Sequence, residues 1–175
     1  MCGIAGLLNF NGQQADAAVK AALAAEPYPA YRQLLAVGPA GPAVIRSGSH
    51  VLGVHGEAIG EHAAAAGNLL ASPSIPTAMV ESFERARGHF GDRLLAALHA
   101  ALKAGGEAGP IHSAGLLIVR EVSWAIVDLR VDWTEDDPVT ALQAIWQVYA
   151  PQVEDYVQRA RQPAAAPAYR VPGDL

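Results

Sequence analysis

The sequence predicts an α+β fold in which helices pack on the outer faces of sheets. Three observations predict it. Short strand-like runs occupy much of the first seventy residues, two helical patterns fill the middle, and two more strands precede a long helix. Sheets that bury one face against each other and the other against helices form one of the few stable layer arrangements. We therefore expect a four-layer αββα sandwich.

The size of the chain indicates one domain with a short tail. It has 175 residues, of which 51% are hydrophobic and 17% are charged, so it can bury a substantial core. Intrinsic disorder of most of the chain is excluded by this composition. We expect a single domain over residues 1–162 and a Pro-rich tail over residues 163–175.

Strand and turn signals alternate in the first part of the chain. An Ala-rich helix is predicted over residues 15–26, because Pro27 and Pro29 prevent its continuation. The segment 62–70 fits a strand or a helix, since small residues pack tightly in either. The remaining strands are predicted at residues 1–8, 31–38, 43–48 and 50–56.

The second part of the chain combines helices with a pair of strands. The apolar run at residues 114–120 is typical of a strand covered on both faces, whereas residues 124–133 alternate between apolar and charged side chains. Trp124, Trp133 and Trp146 are expected to anchor the core or a subunit interface. Helices are predicted at residues 74–88, 91–104 and 136–161.

Charge and cysteine content exclude several classes of protein. The net charge is -5, and the 12 Lys and Arg residues are scattered, which argues against nucleic-acid binding. The single Cys2 excludes an internal disulfide, and no Cys and His spacing fits a metal site. The apolar start has no basic region and is too short for a signal peptide or a membrane span. We expect a cytoplasmic protein without metal or cofactor.

Cys2 is the first candidate catalytic residue. If Met1 is removed, the freed α-amine, with a pKa of about 7.7, can act as general base for the thiol of the same residue. The alternative is that Cys2 is a small apolar residue packed near the terminus.

Three further polar residues are candidates for a site. Asn68 follows Gly67, and its amide could donate to an oxyanion, or it could stabilise a turn. His112 and Ser113 precede a strand and could contact substrate, although neighbours on a strand face opposite ways and cannot form a dyad with each other. Their alternative is ordinary hydrogen bonding at the start of a strand.

A charged row lies on the last predicted strand. Asp128, Arg130 and Asp132 recur at every second position, which puts a cation between two anions on one face of the sheet. Such a row can orient the charged end of a substrate, or it can form ion pairs within the protein. We name Arg130 and Asp128 as substrate-binding candidates.

Several segments resemble a known family. YRQLLAV, AAGNLLAS, AMVESFE and VDLRVDW occur in an order similar to that of the Ntn-hydrolase-like family called domain of unknown function 1028. The resemblance implies an αββα sandwich of the N-terminal-nucleophile type. It also implies hydrolysis of an amide or peptide bond in a small molecule or peptide.

The first residues resemble a different group of enzymes. MCGIAGLLNFNG is similar to the opening of class II glutamine amidotransferase domains, which implies that Cys2 becomes the nucleophile once Met1 is removed. The later substrate-binding motifs of those enzymes have no counterpart here. A longer opening segment of the Ntn-hydrolase-like family is also missing from this start.

Two functions follow as hypotheses. The first is an amide hydrolase in which Cys2 attacks, Asn68 stabilises the oxyanion and Arg130 orients the substrate. The second is a catalytically silent binding or assembly protein with the same fold. A missing segment would expose a sheet edge, so we expect a homo-oligomer that covers it.

Overall fold

A computed structural model describes residues 6–7, 15–38, 43–61, 63–169 and 171, with backbone only for the first pair. The chain contains both helices and strands, as predicted. It divides into two compact units, Met1–Ile111 and His112–Leu175. The expectation of a single domain with a tail stays a prediction.

Among its described residues, the first unit contains two small sheets and three α-helices. These elements are β1 Gly6–Leu7, α1 Ala15–Ala25, β2 Gln33–Ala36, β3 Val44–Ser47, β4 Gly56–Ile59, β5 Ala64–Gly67, α2 Ile75–Arg85 and α3 Phe90–Lys103. In the first sheet β1 is parallel to β2 and β2 is antiparallel to β3, whereas the second sheet is the antiparallel pair β4 and β5.

The first sheet has a helix on one face and a strand of the second sheet on the other. Leu34 and Ala36 of β2 pack with Val19 of α1, whereas Leu35 between them packs with Ala66 of β5. The alternation follows from the two-residue period of a strand, which sends neighbouring side chains to opposite faces. Both faces of β2 are therefore covered.

The second sheet has α2 on its other face. Gly56 lies opposite Gly67 in the antiparallel register, so both residues point to the same side. On that side, a Cβ atom at Gly56 would lie 2.4 Å from the carbonyl oxygen of Pro73 and 3.1 Å from the ring of Pro76 in α2. Within the first unit, α1 thus contacts the first sheet and α2 contacts the second.

The second unit is a β-hairpin with helices on one side. Antiparallel strands β6 (Ala114–Val119) and β7 (Ala125–Val131) precede α4 (Pro138–Tyr149) and α5 (Val153–Arg161). α4 contacts both strands. The buried side chains of the hairpin and helices are Leu116, Ile118, Ile126, Val127, Pro138, Val139, Leu142, Trp146, Val153 and Val157.

Three predicted elements differ from the structure. The predicted helix 136–161 is two helices, because Pro151 lies in a 3₁₀ turn at Ala150–Gln152 and cannot continue an α-helix. The prediction of a strand at 50–56 is wrong, since Gly53 has a φ of 65° and the strand begins only at Gly56. The prediction that β6 is covered on both faces is also wrong, because Leu117 is 59% exposed.

Other predicted elements are confirmed. The segment 62–70 contains a strand, Ala64–Gly67, rather than a helix. The helices predicted at 15–26, 74–88 and 91–104 correspond to α1, α2 and α3. Of the strand predicted at residues 1–8, β1 covers Gly6–Leu7 and the rest lies outside the described residues.

The described part of the tail folds back onto α5. A short 3₁₀ turn, Pro163–Ala165, follows the helix, and Gln158 Nε2 donates to the Ala165 carbonyl at 2.6 Å. Further on, the Arg159 guanidinium carbon lies 3.7 Å from the centre of the Tyr169 ring. Cation–π contacts of this kind fix a chain segment on a helix surface.

Tyr149 makes the stability of the second unit sensitive to alkaline pH. Its hydroxyl donates to the Ile126 carbonyl at 3.2 Å, and burial raises the pKa of Tyr149 above its usual value. Because the pKa of Tyr149 is higher in the folded chain than in the unfolded chain, the neutral phenol stabilises the folded state. This contribution to the free energy of unfolding is fully present below about pH 10 and is lost as the pH rises through the folded-state pKa.

We therefore predict that the free energy of unfolding falls less steeply above pH 10 in Tyr149→Phe than in the unsubstituted chain. The variant loses one hydrogen bond at every pH, but it has no phenol to ionise there. Urea denaturation at pH 9 and pH 11 measures the difference. Equal slopes in the two proteins would contradict the assignment.

Candidate functional site

The predicted site residues fall in two places. Asn68 follows β5 in the first unit, and His112, Ser113, Asp128 and Arg130 belong to the hairpin of the second unit. Cys2 lies outside the described residues. Four of the predicted site residues therefore belong to the second unit, and Asn68 belongs to the first.

Asn68 lies in a turn that leaves β5 at Gly67. Its side-chain Nδ2 donates to the carbonyl of Leu52 at a long distance of 3.4 Å. The side chain is half-buried, so it lies at the margin of the unit rather than in its core. The amide thus contacts the neighbouring loop, as a turn-stabilising Asn does, and its role towards an oxyanion stays a prediction.

Leu69, next to Asn68, has an unusual backbone conformation. Its φ is 56°, in the left-handed region that a leucine rarely adopts. The Leu69 amide donates to the Leu52 carbonyl at 3.1 Å, and its carbonyl accepts from the Ala108 amide at 2.8 Å. Strained residues persist where the surroundings hold them in this way, and they concentrate at functional sites.

The loop before β4 approaches this turn closely. Gly53 itself has a φ of 65°, and a Cβ atom there would lie 2.9 Å from Leu69 Cδ2 and 3.3 Å from Leu69 Cα. Only glycine combines that conformation with that proximity at low cost. The loop and the turn therefore fix each other's position.

Gln33 forms polar contacts near Asn68 that the sequence analysis did not predict. Its Nε2 donates to Ser47 Oγ at 2.8 Å and to the Gly67 carbonyl at 3.3 Å. The amide thus links the first sheet to the end of β5, one residue before Asn68. The sequence did contain a signal for this role, because Gln33 is a polar residue two positions before buried Leu35 and thus on the same face of the strand.

His112 has a defined tautomer. Its Nδ1 lies 3.0 Å from the carbonyl oxygen of Thr134. A carbonyl only accepts hydrogen bonds, so Nδ1 carries the proton, and in the neutral ring Nε2 keeps a lone pair. The Thr134 amide also donates to the His112 carbonyl at 2.9 Å, which ties the two segments together. Ser113 is exposed and directly precedes β6.

The imidazole of His112 stacks on an exposed indole. The two ring centres are 4.0 Å apart with an angle of 8° between the ring planes, and Trp133 is 67% exposed. Trp133 Nε1 donates to Glu135 Oε1 at 3.0 Å. The sequence did not show this stack, because His112 and Trp133 are far apart along the chain.

Asp128 and Arg130 lie on the solvent face of β7. Arg130 Nε is 3.7 Å from Asp128 Oδ1, and the two side chains are 69% and 56% exposed. The predicted alternation is confirmed from Val127 onwards, because Val127 is buried and Leu129 and Val131 are partly buried, whereas the charged residues between and after them are exposed. The side chains pair with each other, as the ion-pair alternative expects, and an exposed pair contributes little to stability.

Among the described residues, two open grooves of about 360 and 370 Å³ are lined by side chains other than the predicted site residues. In the first groove, Arg93 lies 4.0 Å over the Phe83 ring and Arg87 Nη1 donates to the Glu84 carbonyl at 2.8 Å. In the second, Arg120 forms a two-pronged pair with Glu154, at 2.8 and 3.1 Å. This pair raises the pKa of Arg120.

Within the described part of the chain, no three His, Cys, Asp or Glu side chains converge as ligands for a metal ion. None of the described helices has the length and apolar character that crossing a bilayer requires.

Comparison with known proteins gives a class and a family. The arrangement is that of a mixed helix and strand protein, and residues 3–142 match the model of a family of unknown function, DUF1028. The chain therefore belongs to the DUF1028 family. No curated protein matches it.

A solved structure of the same family is similar. The crystal structure of protein SPO2555 from Silicibacter pomeroyi, described with the family DUF1028, is 34% identical and superposes with a TM-score of 0.73. The match covers 87% of this chain and 66% of that chain. This chain thus spans just under two thirds of the length of that relative.

We predict that Gly53→Ala destabilises the protein by about 1–2 kcal/mol, because alanine in a left-handed conformation is strained and its Cβ would contact Leu69. Urea denaturation measures the loss. Gly109→Ala is the matched control, since a Cβ atom there meets nothing within 4 Å. Similar stability of both variants would show that the loop and the turn at Asn68 are not held together.

Proposed function

We propose that this chain hydrolyses an amide or peptide bond with an N-terminal nucleophile, Cys2. Membership of DUF1028, together with the resemblance to Ntn hydrolases, supports the reaction class. The contacts of α1 with the first sheet and of α2 with the second are compatible with the four-layer sandwich of that class, which we include in the proposal.

The strained turn at Asn68 and Leu69 is the observation that carries the proposal. An oxyanion site needs hydrogen-bond donors that are already held in position before the charge develops. Three backbone hydrogen bonds, at Leu69, Leu70 and Ala108, hold this turn in place. Asn68 Nδ2 donates to the Leu52 carbonyl at a long distance. A negatively charged substrate oxygen is a stronger acceptor and could replace this carbonyl.

The proposed reaction needs two groups of one residue. After removal of Met1, the α-amine of Cys2 accepts the thiol proton, and the sulfur attacks the substrate carbonyl carbon. The resulting oxyanion accepts a hydrogen bond from Asn68. The carbon–nitrogen bond then breaks, the leaving amine takes the proton, and water hydrolyses the thioester to regenerate the thiol.

The hairpin residues are not required by this chemistry. Arg130, Asp128, His112 and Ser113 belong to the second unit. Their predicted role in binding a small-molecule or peptide substrate remains part of the proposal.

We predict that the mature protein lacks Met1 and that Cys2→Ala abolishes hydrolysis of glutamine or small peptide amides. Intact-mass spectrometry measures the first outcome, and release of ammonia or amine measures the second.

Asn68→Asp replaces an N–H donor with an acceptor of the same shape and should lower kcat about 100-fold or more.

Ser123→Ala, an exposed change outside the proposed site, is the control for this experiment. Full hydrolysis by Cys2→Ala would exclude the thiol as the nucleophile. A mature chain that keeps Met1 would remove the base, because the nitrogen of Cys2 would then be part of a peptide bond.

A binding or assembly protein without catalysis is the second candidate. Large apolar side chains that are more than two fifths exposed favour it: Leu117, Trp124, Trp133 and Val148 in the second unit. The same two measurements separate the candidates, since retention of Met1 and absence of hydrolysis are expected for the second one.

A further inference from the structure

One edge of β7 has no strand beside it in the described part of the chain. β7 pairs with β6 in a two-stranded sheet, and the seven residues Ala125–Val131 make it the longest described strand. Its other edge presents a row of backbone N–H and C=O groups. Such an edge accepts a further strand readily unless bulges, prolines or inward charges prevent it. The register against β6 shifts near the start of β7 and leaves Ile126 as an extra residue, whose carbonyl accepts from the Tyr149 hydroxyl. The regular part of the strand, residues 127–131, contains no proline.

The exposed face of this strand has a charge pattern that is complementary to itself. Asp128 and Arg130 stand two positions apart on the same face and are more than half exposed. Their mutual contact is long, at 3.7 Å, so exchanging partners costs little. Opposite charges that face each other across two strands stabilise the pairing, and like charges destabilise it.

We propose that β7 pairs with β7 of a second copy of this chain, antiparallel and about a two-fold axis at Leu129. This register places Asp128 of each copy opposite Arg130 of the other, which forms two equivalent ion pairs. Two-fold interfaces have this reciprocity, because each contact occurs twice.

Neighbouring registers are less favourable. An axis at Asp128 or at Arg130 places that residue opposite its own copy, so like charges meet. An axis between two residues pairs the charged face of one strand with the apolar face of the other, because a shift of one residue inverts the faces. The register centred on Leu129 avoids both conflicts. An axis at Val131 would also pair Arg130 with an anion, Asp132, but that residue lies beyond the end of β7.

The ends of β7 agree with an antiparallel pairing. Trp124 precedes the strand and is 43% exposed, and Trp133 follows it and is 67% exposed. Antiparallel pairing brings the start of β7 in one copy, next to Trp124, towards the end of β7 in the other, next to Trp133. Exposed aromatic side chains at both ends thus come together, as is typical of the anchors of protein interfaces.

A second copy fits this edge better than an unrelated strand. Any extended peptide supplies backbone hydrogen bonds to a free edge. Only a strand with an anion and a cation two residues apart, in the same order, supplies both ion pairs, and β7 itself has that pattern. The occupant that the charges select is therefore this chain.

The test is the oligomeric state of the full chain, measured by sedimentation velocity over a range of concentrations. We expect a dimer, and we expect Arg130→Glu to weaken it about tenfold or more, because both ion pairs become repulsive. The double variant Asp128→Arg with Arg130→Asp restores the complementarity and should return the dissociation constant to within a few-fold of the original.

Arg85→Glu on α2 is the matched control, since it reverses an equally exposed arginine far from β7 in sequence and in the other unit. Circular dichroism shows that each variant is folded. A monomeric unsubstituted chain overturns the proposal and leaves the edge to another partner. A dimer that Arg130→Glu does not weaken, or that the double variant does not restore, also overturns it.

Cross-linking tests the register directly. In a Cys2→Ser background, a mixture of Asp128→Cys and Arg130→Cys chains should form a disulfide, because directly opposite residues have Cα atoms about 4.5–5.5 Å apart. Each variant alone should cross-link much less, since its two cysteines lie diagonally. Equal cross-linking in the mixture and in the separate variants would exclude the axis at Leu129.

Discussion

The close packing of β5 is the constraint on which the first unit depends. Its four residues are three alanines and a glycine, so no side chain extends beyond a methyl group. Ala66 packs with Leu35 and Ile45 on one side, and the glycine faces α2 on the other. A larger side chain on either face would separate layers that are now in contact. The turn that carries Asn68 begins where this strand ends, so the packing also positions the candidate site.

The sequence predicted the elements whose signals are local. Helices α2 and α3 and the alternation in β7 follow from the periodicity of apolar residues. The division of the last predicted helix could also have been predicted, because Pro151 cannot lie inside an α-helix without breaking it. The left-handed conformation of Leu69 could not be predicted, because hydrogen bonds from distant segments impose it. The exposure of Leu117 escaped prediction for a related reason: an apolar run does not show how many faces its surroundings cover.

The candidate site divides in the same way. Residue type and position identified His112 and the charged pair on β7, but the protonated nitrogen of His112 and its stack on Trp133 depend on tertiary contacts. Membership of DUF1028 supports the resemblance that the internal segments indicated. The proposed nucleophilic role of Cys2 requires removal of Met1, and this processing step cannot be predicted from the fold.

The family match ends at residue 142, inside α4, which continues to Tyr149. Trp146, one helical turn further on, is 1% exposed and belongs to the core of its unit. The limit of recognisable sequence similarity therefore lies within a folded element. A gene trimmed to that limit would end halfway along a helix and remove its largest buried side chain, so a protein expressed from it would be expected to aggregate.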